Sequence, residues 1–180
     1  MRIIAGRLRG RKLKAPRGLA TRPVLARVRE ALFNVLGNMS GLRVLDLYAG
    51  TGAVGIEALS RDAQSLVLVD SGNKQCRVIR ENLTIVGKDA VVIRSDVIRA
   101  LGKLRNDGMI FDFIFVDPPY EKGMAQNTIT SVFNKGLLSD SGVMAVTVRY
   151  DEELPRRVDT YEIIFDRRYG DTRLVLYKMK

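Results

Sequence analysis

Arg43-Val44-Leu45-Asp46-Leu47-Tyr48-Ala49-Gly50-Thr51-Gly52-Ala53-Val54-Gly55 decides the fold. A short apolar run, 43–48, leads into two closely spaced glycines, and a helical pattern follows over 53–60. This predicts a strand, a tight turn and a helix. Gly50 and Gly52 let the backbone turn sharply and approach a ligand, and Gly55 lets the helix pack on the strand. Outward from this turn the chain alternates strands with helices. Strands are predicted at 65–70, 90–95, 111–117, 143–148, 161–165 and 173–177, and helices at 74–86, 97–104 and 125–135. Runs such as Leu66-Val67-Leu68-Val69 and Phe113-Ile114-Phe115-Val116 are apolar throughout. Such strands are buried on both faces, as in a parallel sheet wrapped by helices. The last two strands have no helix between them and are expected to form an antiparallel hairpin.

Upstream of the turn the pattern changes. Residues 1–30 carry ten Arg or Lys against one acid, whereas the other 150 residues are nearly neutral, so most of the formal charge of +10 lies in this short segment. Apolar and basic residues alternate around Gly6 and Gly10, which predicts a short hairpin or extended ribbon broken at Pro16 and Gly18. Pro23 then starts a helix whose stripe is Val24, Val28, Leu32, Val35 and Leu36. We read residues 1–37 as a basic RNA-binding extension and 38–180 as the main α/β domain. Its candidate phosphate contacts are Arg2, Arg7, Arg9, Arg11, Lys12, Lys14 and Arg22. The chain shows no membrane-length apolar run and no signal-peptide pattern, so a cytoplasmic location is expected. It has no histidine, which removes imidazole bases and the usual zinc sites. The single cysteine, Cys76, falls in a predicted amphipathic helix and is expected to pack.

The glycine turn followed by Asp70 is formally a dinucleotide signature. Asp46 argues against that reading, because its charge would face a pyrophosphate. It suits instead the ammonium of a sulfonium cofactor with an amino-acid tail, S-adenosylmethionine. On this reading Gly50 and Gly52 approach the methionine portion, Asp70 takes the ribose hydroxyls, and Asp96 with Val97 meets the adenine. All of these fall at the carboxyl ends of strands, where open α/β sheets bind ligands.

Asp117-Pro118-Pro119-Tyr120 ends the fourth strand. Two prolines fix an extended, rigid backbone. The Asp117 carboxylate and the Pro118 carbonyl can then accept from one planar NH₂ group while Tyr120 offers a face for a base. Two acceptors in that plane hold a delocalised exocyclic amine for in-line attack on a methyl. Asp117, Pro118, Pro119 and Tyr120 are therefore the candidate catalytic residues, with direct displacement and no metal. Rival readings are amino methylation of adenine or cytosine in RNA or DNA, or of a protein glutamine, an NAD-dependent dehydrogenase, and a non-catalytic ribosome-assembly module.

These motifs, with Arg2-Ile3-Ile4-Ala5-Gly6, Arg9-Gly10-Arg11-Lys12-Leu13, Thr21-Arg22-Pro23, Arg27-Val28-Arg29-Glu30-Ala31-Leu32-Phe33-Asn34 and a closing Arg168-Tyr169-Gly170-Asp171-Thr172, resemble the RsmD family of methyltransferases. The resemblance spans nearly the whole chain. It implies a Rossmann-like, seven-stranded class I methyltransferase sheet with its last strand antiparallel. It also implies methylation of the N2 amine of one guanine in 16S ribosomal RNA. The expected partner is that RNA within the small ribosomal subunit or its assembly intermediate, and the enzyme is expected to be a monomer. The chain departs from the family pattern at Val24-Leu25-Ala26, which is apolar where the family is polar.

Overall fold

The structure, a computed structural model, describes residues 1–15, 23–87, 90–120 and 123–180. The expected contacts of Pro16, Gly18 and Arg22, and the side chains of Val24 and Leu25, lie outside the described residues. The central sheet holds β1 (Arg43–Leu47), β2 (Ser65–Asp70), β3 (Ala90–Arg94), β4 (Phe111–Val116), β5 (Leu138–Arg149), β6 (Arg157–Val158), β7 (Tyr161–Tyr169) and β8 (Thr172–Met179). Their spatial order is β3-β2-β1-β4-β5-β8-β7-β6. β1 to β5 run parallel, and β8 lies antiparallel between β5 and β7. Among the described residues five helices flank it: α1 (Pro23–Leu36), α2 (Ala53–Ser60), α3 (Asn73–Leu83), α4 (Val97–Asn106) and α5 (Met124–Asn134).

The all-apolar strands are buried as their composition requires, and alternate side chains feed two cores. Leu45 and Leu47 of β1 join Leu101 of α4 and Ile129 of α5 on one face. Val44 joins Leu32 of α1, Ile56 of α2 and Ile79 of α3 on the other. On β4, Phe111 and Phe113 fall in different cores although they are two residues apart. A register shift between them accounts for it, since an irregularity there breaks the period-two alternation. Asp112 sits at that irregularity. It accepts from the Arg43 backbone N–H at 3.0 Å, from Arg43 Nε and Nη2 at 2.9 Å each, and from Ser139 Oγ at 2.9 Å. The Arg43 guanidinium holds its carboxyl down at about 2.

Among the described residues the sheet has eight strands rather than seven. The extra strand, β6, is two residues long and pairs only with β7, too short for any sequence period to reveal it. β1 ends at Leu47, one residue earlier than expected, because Tyr48 turns into the left-handed region at φ 58°. α3 ends at Leu83, three residues short of the expected Val86. Cys76 is fully buried, in keeping with a packing role.

Residues 1–13 form the expected hairpin. Ile3 N–H donates to the Arg11 carbonyl at 3.0 Å, and Leu13 N–H to the Met1 carbonyl at 2.9 Å. Ile3, Leu8 and Leu13 are buried in the same core as α1 and α2. Glu57 of α2, wholly buried, accepts from the Ile4 and Ala5 amides at 2.7 and 2.9 Å. Ser60 Oγ donates to the Ala5 carbonyl and accepts from Leu8 N–H. Gly6 is required here: a Cβ at its φ of 79° would lie 1.9 Å from the Ser60 carbonyl oxygen.

Candidate active site

A cavity opens at the carboxyl ends of β1, β4 and β5, bounded by the glycine turn, α1 and Met1. Its charged lining side chains are those of Asp46, Asp117 and Arg29. Asp46, the penultimate residue of β1, is 2% exposed, and its Oδ2 accepts from Gly55 N–H at 2.9 Å. Burial pushes its carboxyl well above the usual range, opposed by that amide and assisted by the charges of Asp117 and Asp70. Asp117 follows β4 into the cavity wall. Burial raises it too, and the Thr147 hydroxyl, which donates to its Oδ1, opposes the rise.

The turn after β1 has the geometry its glycines predict. Gly52 N–H donates to the Ala49 carbonyl at 2.7 Å. Gly52 has φ 74° and caps α2, and a Cβ there would approach Leu68 at 3.0 Å. It therefore shapes the turn and packs inward, whereas Gly50 borders open space, where a Cβ would meet nothing nearer than 3.9 Å. Asp70 is fixed by two amides, Gly50 N–H on Oδ2 and Gly72 N–H on Oδ1, each at 2.8 Å. An ionised carboxylate has about four lone-pair positions, so both oxygens keep capacity for further donors. Asp96 caps α4, accepting from Arg99 N–H at 3.1 Å. Val97 is buried in the core at the first turn of that helix, so a ligand would meet its backbone N–H, one of the orphan donors of a helix start.

Pro118 is buried, while Pro119 and Tyr120 are exposed. The Tyr120 ring stands 43% exposed, and its hydroxyl bonds Thr172 Oγ1 at 3.0 Å. Thr172 belongs to the closing motif of the sequence, which is thus brought beside the Asp-Pro-Pro-Tyr segment. Arg2, Arg7, Arg9, Arg11, Lys12 and Lys14 are exposed on the hairpin. Arg2 reaches the Gly10 carbonyl at 2.7 Å, and Lys14 pairs with Glu81 at 3.0 Å.

Four residues escaped the sequence reading: Thr147, Arg29, Asn82 and Tyr48. Thr147 lies within an apolar strand and Arg29 within a basic run, so neither stands out by pattern. Asn82 of α3 accepts from Lys14 N–H and donates to the Lys14 and Thr51 carbonyls, joining the hairpin to the glycine turn. Tyr48 lines the cavity and bonds Thr128 Oγ1 at 2.8 Å.

The lining fits a sulfonium cofactor. A buried carboxylate, Asp46, and a half-buried one, Asp117, in one cavity favour a cation and would repel a pyrophosphate, and the open space at Gly50 admits a ligand against the backbone. A parallel sheet in this order, with an antiparallel strand between β5 and β7 and acids at the ends of β1, β2 and β4, defines the class: an S-adenosylmethionine-dependent methyltransferase of class I. The match to known proteins narrows it further. Residues 1–178 match the family model described as conserved hypothetical protein 95, and the chain belongs to that family, the RsmD family. It is 36% identical to the Bacillus subtilis protein YlbH, with 100% of each chain covered. It is 33% identical to the Ribosomal RNA small subunit methyltransferase D of Escherichia coli strain K12, covering 99% of this chain and 89% of the other. The solved structure of the Escherichia coli protein yhhF superposes with a TM-score of 0.87 at 32% identity, covering 100% of this chain and 98% of that one.

Proposed function

We propose that this enzyme methylates the exocyclic N2 amine of a guanine in 16S ribosomal RNA. The observation that carries the reading is the placement of Asp117 in one cavity with Asp46, next to a buried Pro118 and an exposed Tyr120 ring. Family membership and the name of the Escherichia coli relative supply the substrate class.

Gly50, Asp46, Asp70, Asp96 and Val97 would hold S-adenosylmethionine, which supplies an electrophilic methyl group when bound. Asp117 and the Pro118 carbonyl accept from the amine and fix the plane of its nitrogen. Thr147 orients Asp117 through its hydroxyl. A carboxylate held above its ordinary range is also a better proton acceptor for the amine. Tyr120, steadied by Thr172, stacks on the guanine. A paired N2 is closed to in-line attack, so the guanine is exposed or turned out of its stack. The exposed cations of the hairpin engage phosphates and set position without reading sequence. The substrate is the small subunit or its assembly intermediate, and the enzyme acts as a cytoplasmic monomer. Among the described residues no helix is long and apolar enough to cross a membrane.

The test is incubation with radiolabelled S-adenosylmethionine and either undermethylated small subunits or protein-free 16S RNA, followed by nucleoside analysis. Label in N2-methylguanosine is expected. Label in adenosine, cytidine or protein overturns the assignment.

A further inference from the structure

Among the described residues Arg29 is a buried charge with an unpartnered donor. It projects from α1 with 5% exposure. Its Nη2 donates to the Arg2 carbonyl at 2.7 Å, and its Nη1 points at the Met1 sulfur at 2.8 Å. Its buried Nε has no partner. A thioether is a weak acceptor, so of five N–H donors one has a good acceptor. The carboxylate acting on it from nearby is Glu57, which is committed to the Ile4 and Ala5 amides and to Arg61 Nε at 3.1 Å. Among the described residues no acid forms an ion pair with Arg29. A buried guanidinium left in this state is costly unless an anion completes it.

The cavity itself says which anion. Arg29 and Asp46 line it together, alongside Ala49, Gly50 and Thr51 of the glycine turn. With Asp117 assigned to the target amine, one buried cation and one buried anion remain. An amino-acid tail carries one charge of each sign. We propose that Arg29 receives the α-carboxylate of the methionine portion of S-adenosylmethionine, as the counterpart of Asp46 and the ammonium. The inference rests on the placement of the cofactor given above. A guanidinium fork matches a carboxylate in two parallel hydrogen bonds. A phosphate of the RNA is the other candidate anion. It would have to shed its water and pass α1 and Met1 to reach a side chain buried this deeply, whereas the cofactor's tail, placed as above, would lie against the turn. Because Arg29 also holds the Arg2 carbonyl, the cofactor and the basic hairpin share one guanidinium.

The test is binding rather than turnover. Calorimetry compares S-adenosylmethionine with its decarboxylated analogue, which keeps the sulfonium and the ammonium and lacks only the carboxylate. Wild type should bind the complete cofactor about 10–100-fold more tightly, the range of a charge-assisted pair. Arg29→Gln should lose that preference by weakening S-adenosylmethionine alone, and Arg29→Lys should restore part of it. Equal affinity of wild type for the two ligands overturns the proposal without any variant, which guards against a variant that folds poorly. An Arg29→Gln protein that loses affinity for both ligands equally marks a structural role and also overturns it. So does one that binds both as wild type does and loses RNA affinity, because the anion is then a phosphate. If wild type binds neither ligand, the cofactor assignment itself has failed, a result distinct from the others.

Discussion

Glu57→Ala tests how the hairpin is held. The Glu57 carboxylate is wholly buried and receives two backbone amides at 2.7 and 2.9 Å and Arg61 Nε at 3.1 Å. Hydrogen bonds to a charged group are worth about 1.5–3 kcal/mol each, so losing the two amide bonds costs about 3–6 kcal/mol. The hairpin could escape by undocking, but that would expose Ile3, Leu8 and Leu13. At about 1.5–3 kcal/mol per side chain, undocking costs about 5–9 kcal/mol. Staying docked with two unpaired amides is therefore the cheaper response, and the whole molecule bears the loss. For a chain of this size about 4 kcal/mol lowers Tm by roughly 8–16 °C. Glu57→Gln, which keeps one acceptor oxygen, should fall in between. Thermal melting by circular dichroism, with hydrogen exchange at Ile4 and Ala5, reads the effect. A Tm within about 2 °C of wild type, with both amides still protected, would refute the reasoning.

Asp70→Ala should weaken S-adenosylmethionine binding by about 1–3 kcal/mol, read by calorimetry; unchanged affinity would mean the ribose lies elsewhere. Asp117→Ala should leave cofactor affinity nearly intact while turnover falls by orders of magnitude, and Thr147→Val should fall part of the way, since it only orients that carboxylate. Near-normal turnover in Asp117→Ala would sink the mechanism. Burial raises Asp46, and a cationic ligand favours its ionised form, so affinity is complete above the raised value and declines as pH falls through it. Calorimetry in buffers of different ionisation heat should find the decline beginning above the ordinary carboxylate range of about 4, with proton release on binding. Charge reversal at the exposed Arg7, Arg9 and Arg11 should flatten the salt dependence of RNA binding by about 0.7–0.9 log units for each phosphate no longer neutralised. An unchanged slope in a folded variant would remove the hairpin as the RNA-binding element.

The parallel half of the sheet was legible because β1, β2 and β4 are short, apolar and followed by helical periods. So were the glycine turn and the acids at strand ends, whose spacing is local. What escaped depends on residues far apart in sequence. Glu57 reads as an ordinary helical acid in Gly55-Ile56-Glu57-Ala58; its burial follows from a hairpin more than 50 residues earlier. Thr147 makes its contact with a carboxylate 30 residues away, just past the end of the neighbouring strand. β5 extends back to Leu138 through Ser139-Asp140-Ser141-Gly142, residues with weak strand preference, because β4 offers Phe111 as a partner to Leu138. The left-handed Tyr48 is a bulky residue in a conformation its type disfavours, and a hydroxyl contact to Thr128 of α5 steadies it.

The position of β8 has a consequence for the order of folding. It is the last strand in the chain, yet it sits inside the sheet, pairing with β5 on one side and β7 on the other. During synthesis β5 and β7 must therefore wait, each with an open row of amides and carbonyls, until residues 172–179 have emerged. Exposed strand edges are templates for pairing with other chains. Thr172, whose hydroxyl bonds that of Tyr120, also arrives only with β8. Until that insertion seals the sheet, the nascent protein is open to association with other chains through those two edges.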